Sequence, residues 1–290
     1  MPPGRRIGIL ADIHSNLAAL DVALHFFDRV GVDGIFQLGD LVGYAGKPRS
    51  ALDRIRGQPR EVIERIQARE DVISIQGNHD RALTGEIDPS MRKAAREVLA
   101  WTREQLSAEQ VEFLRTLPEG RSVDDQFLLV HGSILERDAY ILSATEVKRN
   151  LAWIVERQPG PRICFFGHTH IPMLIGTKHI FTDLKETKTF QLDRDDVYLL
   201  NPGSVGQPRD KCPLAAFGVF DVQQWTMTFV REPYEPSAAP PERRGGFAGG
   251  WRERQRAEAA AERGTADAGF ERAGMNLCAC SRRRTPAICR

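Results

Sequence analysis

The amino-acid sequence predicts an α/β fold in which short buried strands alternate with amphipathic helices. Apolar runs of strand length recur along the first half of the chain, segments with helical spacing lie between them, and glycine-containing turns follow several of the runs. Alternation of this kind is typical of sheets covered by helices. With 290 residues, of which 41% are apolar, the chain can bury a substantial core.

The first strand and the first helix are predicted at residues 7–10 and from Leu17 onward. Residues 7–10 form a short apolar run, whereas Leu17, Leu20, Leu24 and Phe27 recur at helical spacing. The same order of elements then repeats. The other predicted strands of this half are residues 34–38, 72–75, 127–130 and 163–166, and a helix over residues 145–157 precedes the last of them.

Two parts of the chain depart from this alternation. Between residues 81 and 117, apolar residues at helical spacing and a helix start signal at Ser107 predict a small helical insertion. We interpret Trp101 and Phe113 of this insertion as core residues in preference to base-stacking platforms. From residue 173 to residue 230, short alternating apolar runs predict a β-rich second half that includes a hairpin over residues 215–229.

The C-terminal residues 233–290 differ from the rest in composition. They are rich in Pro, Ala, Gly, Arg and Glu and offer little apolar surface, so we expect a low-complexity, disordered tail. The folded domain is accordingly predicted over residues 1–232.

The balance of charge argues against partners that are large polyanions. The chain has 40 basic and 39 acidic residues, which give a formal net charge of +1. Long nucleic acid is therefore not favoured as a partner, and any phosphate recognition must be local. No apolar run reaches the ~20 residues that span a bilayer, and the N-terminus lacks an apolar secretory segment. We therefore expect a cytoplasmic protein without a membrane partner, and leave its oligomeric state open.

Histidines are placed where the predicted strands end. Five of the seven follow strands directly, in loops that also carry Gly, Asp or Asn; they are His14, His79, His131, His168 and His170. Because loops at the carboxyl ends of strands converge on one crevice in such folds, these side chains should meet in space. The sequence therefore predicts one site built from distant parts of the chain.

The same loops supply Asp12, Asp40 and Asn78, which complete a set of metal-binding side chains. Imidazole nitrogens and carboxylate oxygens suit Mn, Fe, Zn or Ni, and the loops lack the cysteines of a closed structural zinc site. Four imidazoles, two carboxylates and an amide exceed one ion's needs, so two divalent ions are predicted. Asp40, alone in its loop, is the candidate bridge between them.

These loop motifs resemble the signature of the calcineurin-like metallophosphoesterase superfamily. Residues 39–44 and 201–210 are similar to its small prokaryotic phosphodiesterase branch, and the resemblance extends over about residues 6–232. It implies a β-sandwich core flanked by helices, with the helical insertion on one side. The motifs that carry it are Asp12-Ile13-His14, Gly39-Asp40, Gly77-Asn78-His79-Asp80, His131-Gly132 and Gly167-His168-Thr169-His170.

The resemblance also implies a role for each site residue. One metal ion would be held by Asp12, His14, Asp40 and His170, and the other by Asp40, Asn78, His131 and His168. Manganese is the expected metal, with Fe, Zn or Ni as alternatives. A hydroxide that bridges the two ions would attack phosphorus, while His79 would donate a proton to the leaving oxygen as general acid.

The sequence departs from the superfamily's protein phosphatases at two positions. Gly43 and Tyr44 stand where those enzymes have an Asp that steadies the catalytic histidine and an Arg that binds phosphate. The departure weakens a protein-phosphatase assignment and leaves open which group orients His79. Arg209 is the candidate replacement for the phosphate-binding cation, with an ordinary surface arginine as the alternative interpretation.

The resulting prediction is a metal-dependent phosphoric ester hydrolase that acts as a phosphodiesterase on a small phosphate ester. Hydrolysis of a phosphoanhydride, as in dinucleoside polyphosphates, or of a phosphoprotein is the first alternative. A non-catalytic scaffold of the same fold is the second, and the complete set of predicted ligands together with His79 argues against it.

Overall fold

Two mixed sheets form the framework of the molecule. The computed structural model describes residues 5–44, 57–85, 87 and 93–235, and within these ranges the two sheets have six strands each and are accompanied by six helices. The α/β fold class is thereby confirmed. The strands are β1 (Arg6–Leu10), β2 (Gly34–Gln37), β3 (Val72–Ser74), β4 (Gly120–Val123), β5 (Phe127–Val130), β6 (Ile163–Phe165), β7 (Met173–Gly176), β8 (Ile180–Phe181), β9 (Lys188–Gln191), β10 (Tyr198–Asn201), β11 (Ala215–Asp221) and β12 (Thr226–Glu232). The helices are α1 (Leu17–Val30), α2 (Pro59–Gln67), α3 (Asn78–Thr84), α4 (Lys93–Gln105), α5 (Ala108–Thr116) and α6 (Ala144–Glu156).

Parallel strands lie in the part of each sheet that leads to the site. The first sheet has the order β3-β2-β1-β11-β12-β9, in which β1, β2 and β3 are parallel. The second has the order β4-β5-β6-β10-β7-β8, in which β5, β6 and β10 are parallel. Since parallel strands end at the same edge of a sheet, the loops that follow these six strands are brought together.

The two sheets pack face to face, and helices cover their outer faces. Ile7 and Ile9 of β1 belong to the core between the sheets with Phe165 and Phe220, whereas Leu10 packs with α1 on the other side. Burial on both faces explains why the strands are nearly continuous apolar runs. A separate core beneath α6 covers the second sheet. The expected β-sandwich flanked by helices is confirmed.

Helix α1 begins and ends where its sequence indicates. The Asn16 side chain accepts a hydrogen bond from the Ala19 amide at 3.2 Å, and Gly31 ends the helix in a left-handed conformation with φ 68°. The start of α1 fixes the loop between β1 and the helix, which carries Asp12 and His14.

The helical insertion contains α4 and α5, and both pack against α3. Ser107 and Gln110 form reciprocal capping hydrogen bonds at 3.2 and 3.1 Å, as expected from the start signal at Ser107. Phe113 packs against the core on the helix side, whereas Trp101 lines a cavity beside α2.

Three features differ from the sequence prediction or lie beyond it. Strand β4 is missing from the prediction because its Gly-Arg-Ser-Val sequence is polar and mostly exposed. Helix α3 begins at Asn78, so Asn78 and His79 lie in a first helical turn and not in a loop. The predicted tail lies outside the described residues from residue 236 onward, so the domain boundary stays a prediction. No helix within the described residues is long and apolar enough to cross a membrane.

Candidate metal centre

The backbone at the candidate centre adopts conformations that are uncommon for residues other than glycine. Asp12, His14, Asp40, His168 and His170 have φ values of 53°, 48°, 54°, 65° and 58°. Each such left-handed residue costs of order 1 kcal/mol, and such residues concentrate at functional sites. The strand ends are therefore shaped to aim these side chains at a common point.

A first cluster brings together Asp12, His14 and His170, all of which are buried. His14 Nε2 lies 3.0 Å from His170 Nε2, and His170 Nε2 lies 3.6 Å from an Asp12 carboxylate oxygen. The other ring nitrogen of each histidine faces a carbonyl: His14 Nδ1 is 3.2 Å from Val42 O, and His170 Nδ1 is 2.6 Å from Gln207 O.

The second cluster brings together Asp40, Asn78, His131 and His168. His131 Nε2 lies 3.0 Å from Asn78 Oδ1, 3.2 Å from His168 Nδ1 and 3.3 Å from an Asp40 oxygen. The remaining ring nitrogens again face carbonyl oxygens, since His131 Nδ1 is 2.7 Å from Leu38 O and His168 Nε2 is 2.9 Å from Asp138 O.

The carbonyl contacts determine where the protons of the four imidazoles lie. A carbonyl oxygen only accepts, so the nitrogen facing it must carry the hydrogen, and the inward nitrogen of a neutral ring presents a lone pair. Burial lowers the pKa of both His14 and His170 well below its usual value. Two unprotonated nitrogens thus face each other at 3.0 Å, an arrangement that a cation between them would stabilise.

Protonation of the second cluster differs from that of the first. Burial opposes the charged form of His131, but the Asp40 carboxylate, together with Asp12 and the Leu38 carbonyl, outweighs burial and raises the pKa of His131 to about 10. Burial lowers the pKa of His168 to about 3. A proton on His131 therefore occupies the position of a cation, and a divalent ion would displace it.

Asp40 lies between the two clusters. One of its oxygens is 3.7 Å from His14 Nε2 and 3.3 Å from His131 Nε2, and the other accepts a hydrogen bond from the His79 amide at 2.8 Å. The neighbouring histidines hold the pKa of Asp40 well below its usual value, although burial acts in the opposite direction. This is the position that a bridging carboxylate requires.

His79 is buried beside the first cluster and is held by ring contacts. Its ring centre lies 4.4 Å from that of Tyr44 and 5.0 Å from that of His14. Its Nδ1 has no hydrogen-bond partner among the described residues. A Cβ atom at Gly43, where φ is +106°, would lie 2.4 Å from that nitrogen. Burial lowers the pKa of His79.

Asp80 follows His79 but does not bond to its ring. Its two carboxylate oxygens accept hydrogen bonds from the amides of Val42 at 3.2 Å and Gly77 at 3.0 Å. Burial raises the pKa of Asp80 to about 7. Asp80 therefore joins the loop after β2 to the start of α3. The motif Gly77-Asn78-His79-Asp80 contained this residue, but a role in joining two loops depends on a contact distant in sequence.

Arg209 lies beside the first cluster. Its amide donates to His170 O at 3.2 Å, and its guanidinium carbon is 5.4 Å from the ring centre of Tyr44. The Arg209 side chain also donates to Gln207 Oε1 at 3.4 Å, and its positive charge contributes to the lowered pKa of both His79 and His170. Arg209 thus belongs to the candidate centre.

The end of β10 and the loop after it form hydrogen bonds with the loops that carry the site residues. Asn201 Nδ2 donates to Gly167 O at 2.8 Å and to Thr169 Oγ1 at 3.0 Å, which braces the loop that carries His168 and His170. Ser204 Oγ donates to Asp12 O at 2.7 Å. These contacts give a structural reason for the Asn-Pro-Gly-Ser sequence at residues 201–204.

All eight residues predicted for metal binding and catalysis therefore lie in one place, together with Arg209. Tyr140 belongs to none of the sequence motifs, yet its ring is stacked on that of His168 with ring centres 4.1 Å apart. Of the two aromatic residues predicted for the core of the insertion, Phe113 packs against the helix-side core, whereas Trp101 is partly exposed and lines a cavity beside α2.

Comparison with known proteins agrees with this geometry. The calcineurin-like phosphoesterase superfamily domain matches residues 6–224. The uncharacterized protein MJ0912 of Methanocaldococcus jannaschii is 31% identical over 238 residues, which cover 79% of this chain and 88% of that protein.

Two solved structures share the fold. A metallophosphoesterase from Sphaerobacter thermophilus is 32% identical with a TM-score of 0.66, and the match covers 80% of this chain and 89% of that one. The hypothetical protein PH1004 from Pyrococcus horikoshii OT3 is 20% identical with a TM-score of 0.61, and the match covers 79% and 88% of the two chains. The chain belongs to the calcineurin-like phosphoesterase superfamily, whose members are metal-dependent.

Proposed function

We propose that this protein is a dinuclear metal-dependent phosphodiesterase that acts on small phosphodiesters. The observation that carries the proposal is the contact between His14 Nε2 and His170 Nε2 at 3.0 Å, at a place where burial lowers the pKa of both rings. A second cluster shares the Asp40 carboxylate with the first. Two adjacent cation sites joined by a carboxylate fit the hydrolysis of phosphate esters.

Seven side chains would hold the two ions. Asp12, His14 and His170 would bind one and Asn78, His131 and His168 the other, with Asp40 as ligand to both. The oxygen and nitrogen donors suit manganese, and Fe, Zn or Ni are alternatives. When bound, two such cations would lower the pKa of a water molecule and stabilise the charge that develops on the phosphoryl oxygens.

His79 would protonate the leaving oxygen. Its Nδ1 is buried against Gly43, so Nε2 is the nitrogen available to deliver a proton. Burial lowers the pKa of His79, so its protonated form would be a strong acid toward a basic alkoxide although it is less populated near neutral pH. The amide contact with Asp40 and the ring contact with Tyr44 orient the imidazole.

Tyr44 and Arg209 would together replace the Asp and Arg found in the protein phosphatases of this superfamily. The ring of Tyr44 contacts both the His79 ring and the guanidinium of Arg209. Arg209 lies next to the first cluster, where a guanidinium can bind two phosphoryl oxygens at once. This arrangement argues for a small ester over a phosphoprotein.

The test is a hydrolysis panel on the full chain. Purified protein is freed of metal, loaded with Mn²⁺, and assayed with bis(p-nitrophenyl) phosphate, p-nitrophenyl phosphate, diadenosine tetraphosphate and a phosphopeptide. We expect the diester to have the highest kcat/KM. Preference for diadenosine tetraphosphate or the phosphopeptide would establish an alternative activity.

A matched variant identifies the centre responsible for any hydrolysis. His14→Ala should abolish hydrolysis, whereas His25→Ala, on the outer side of α1, should leave it unchanged. If Mn²⁺ binds and no substrate is cleaved, the alternative of a non-catalytic scaffold gains support. The cytoplasmic location and the preference for small substrates over long nucleic acid remain part of the proposal.

A further inference from the structure

Tyr140 presents an accessible aromatic face next to the second cluster. Its ring is nearly parallel to that of His168, with ring centres 4.1 Å apart and an interplanar angle of 17°. His168 is almost fully buried, but Tyr140 is 40% exposed. One face of the tyrosine therefore covers a predicted metal ligand while part of the ring remains open to solvent.

The loop that carries Tyr140 is held to its surroundings. Asp138 O faces His168 Nε2 at 2.9 Å, and the Asp138 side chain forms an ion pair with Arg81 of α3. A Cβ atom at Gly132 would lie 2.6 Å from Arg137 O and 2.9 Å from Ala139 O, so the loop packs closely on the end of β5. A ring on such a loop can contact a ligand with little loss of conformational entropy.

The position of His79 indicates which part of a substrate would reach Tyr140. The leaving oxygen must lie beside His79, which contacts His14 and Tyr44 on the side of the first cluster. Tyr140 instead lies over His168 of the second cluster. The group of a diester that remains on phosphorus after cleavage would therefore extend toward Tyr140.

The chemistry of the surface favours a planar aromatic group there. A tyrosine ring stacks on any nucleobase or aryl ring, and such stacking is largely independent of base identity. We infer that Tyr140 forms a stacking subsite for the retained aromatic substituent of the substrate, which makes nucleoside or aryl phosphodiesters the preferred class. The inference rests on the proposed phosphodiesterase function and names its substrate class.

Two diesters with the same leaving group test the subsite. Bis(p-nitrophenyl) phosphate retains an aryl group after cleavage, whereas methyl p-nitrophenyl phosphate retains a methyl group. In Tyr140→Leu, an apolar side chain still covers His168, so we expect kcat/KM to fall about tenfold for the aryl diester and to change little for the methyl diester. Tyr140→Phe should behave like the parent protein. An equal fall in kcat/KM for both diesters would mean that Tyr140 only shields His168 and does not contact the substrate, and would overturn the inference.

A binding measurement separates this inference from the function on which it rests. Titration calorimetry with the Mn²⁺-loaded protein compares adenosine monophosphate with ribose 5-phosphate, which carry the same phosphoryl charge. We expect the parent to bind the nucleotide about tenfold more tightly and Tyr140→Leu to lose that preference. Equal affinities in the parent would overturn the subsite even if diesters are hydrolysed. A nucleotide preference without any turnover would keep the subsite and reject the phosphodiesterase.

Discussion

The proton positions of four histidines determine what the centre can bind. His14, His131 and His170 each direct Nδ1 to a backbone carbonyl, while His168 directs Nε2 to one. Each carbonyl fixes the ring and its tautomer, and so leaves the opposite nitrogen as the ligand atom. The backbone thus sets which nitrogen of each ring would face a bound cation.

Asp40 provides the most direct test of two coupled sites. In Asp40→Asn the bridging negative charge is removed while the shape of the side chain is kept, so both sites should bind their ions more weakly. We expect metal content to fall from about two ions per chain to about one or fewer, measured by elemental analysis after gel filtration. Asp125→Asn, in the exposed turn between β4 and β5, is the control and should retain full occupancy; full occupancy in Asp40→Asn would contradict the bridging role.

Tyr44 is expected to affect catalysis through His79. Replacing the ring in Tyr44→Ala removes a contact at 4.4 Å that restricts the imidazole. We expect turnover of a dinucleoside monophosphate, which has an alkoxide leaving group, to fall about tenfold, compared with about 100-fold for His79→Gln. A nucleotide p-nitrophenyl ester needs little proton donation and should be much less affected.

Two further variants show whether Tyr44 acts by positioning His79 or whether its loss damages the site in general. Tyr44→Phe keeps the ring that contacts His79, so kcat on the alkoxide substrate should return to near that of the parent. The double variant Tyr44→Ala with His79→Gln should be no slower than His79→Gln alone, because both changes act on one step. Full additivity would argue that Tyr44 acts elsewhere.

At the scale of elements, the loop at residues 39–44 packs on the start of α3 with little free space. A Cβ atom at Gly43 would meet His79 Nδ1 at 2.4 Å, and the φ of +106° is unfavourable for any L side chain. We expect Gly43→Ala to lower the free energy of unfolding by about 1 to 3 kcal/mol and to reduce turnover, measured by urea denaturation and by the diester assay.

Gly85 offers a matched control for this substitution. A Cβ atom there would meet nothing within 4 Å, and its backbone does not have a positive φ. Gly85→Ala should therefore leave stability and turnover near those of the parent. If Gly43→Ala also left stability and turnover nearly unchanged, the loop would be able to shift and accommodate the added methyl group. His79 would then not be confined by this loop.

Most strands and helices could be predicted because their signals are local. Residues 163–166 form an apolar run, and β6 follows it to within one residue. The apolar run of β11 and the partial alternation of β12 likewise indicate strands. β4 was missed because it is held by pairing with β5, from Gly120 opposite Val130 to Val123 opposite Phe127, and not by its own composition. Its existence depends on a neighbouring strand.

The residues of the site could be predicted from the sequence, but the contacts between them could not. Asp12, Asn78 and His131 could be named because each belongs to a short motif after a strand. The contacts of Tyr44 with Arg209 and of Tyr140 with His168 join residues that are far apart in sequence, so no local pattern indicates them. The tautomers of the histidines likewise depend on carbonyls from other loops.

At the scale of the whole molecule, both clusters join the two sheets. In the first, Asp12 and His14 follow β1 of the first sheet whereas His170 follows β6 of the second. In the second cluster, Asp40 follows β2 of the first sheet, while His131 follows β5 of the second. A cation in either place would therefore bind the two layers of the sandwich to each other.

Metal binding should consequently stabilise the entire fold and not only the site. A ligand that binds the native state alone contributes about 2.7 kcal/mol at a concentration 100-fold above its Kd, which corresponds to a rise of about 5 to 10 °C in Tm for a domain of this size. Differential scanning calorimetry of metal-free and Mn²⁺-loaded protein measures the shift.

The same measurement on variants connects stability to the two clusters. Asp40→Asn should lose most of the Mn²⁺-dependent rise in Tm, because it contributes to both ion sites, whereas Asp125→Asn should retain the full rise. Tyr140→Leu should also retain it, since Tyr140 covers a ligand without being one. A rise of the same size in Asp40→Asn would mean that Mn²⁺ stabilises the protein from another location, and the assignment of these loops as the metal centre would be wrong.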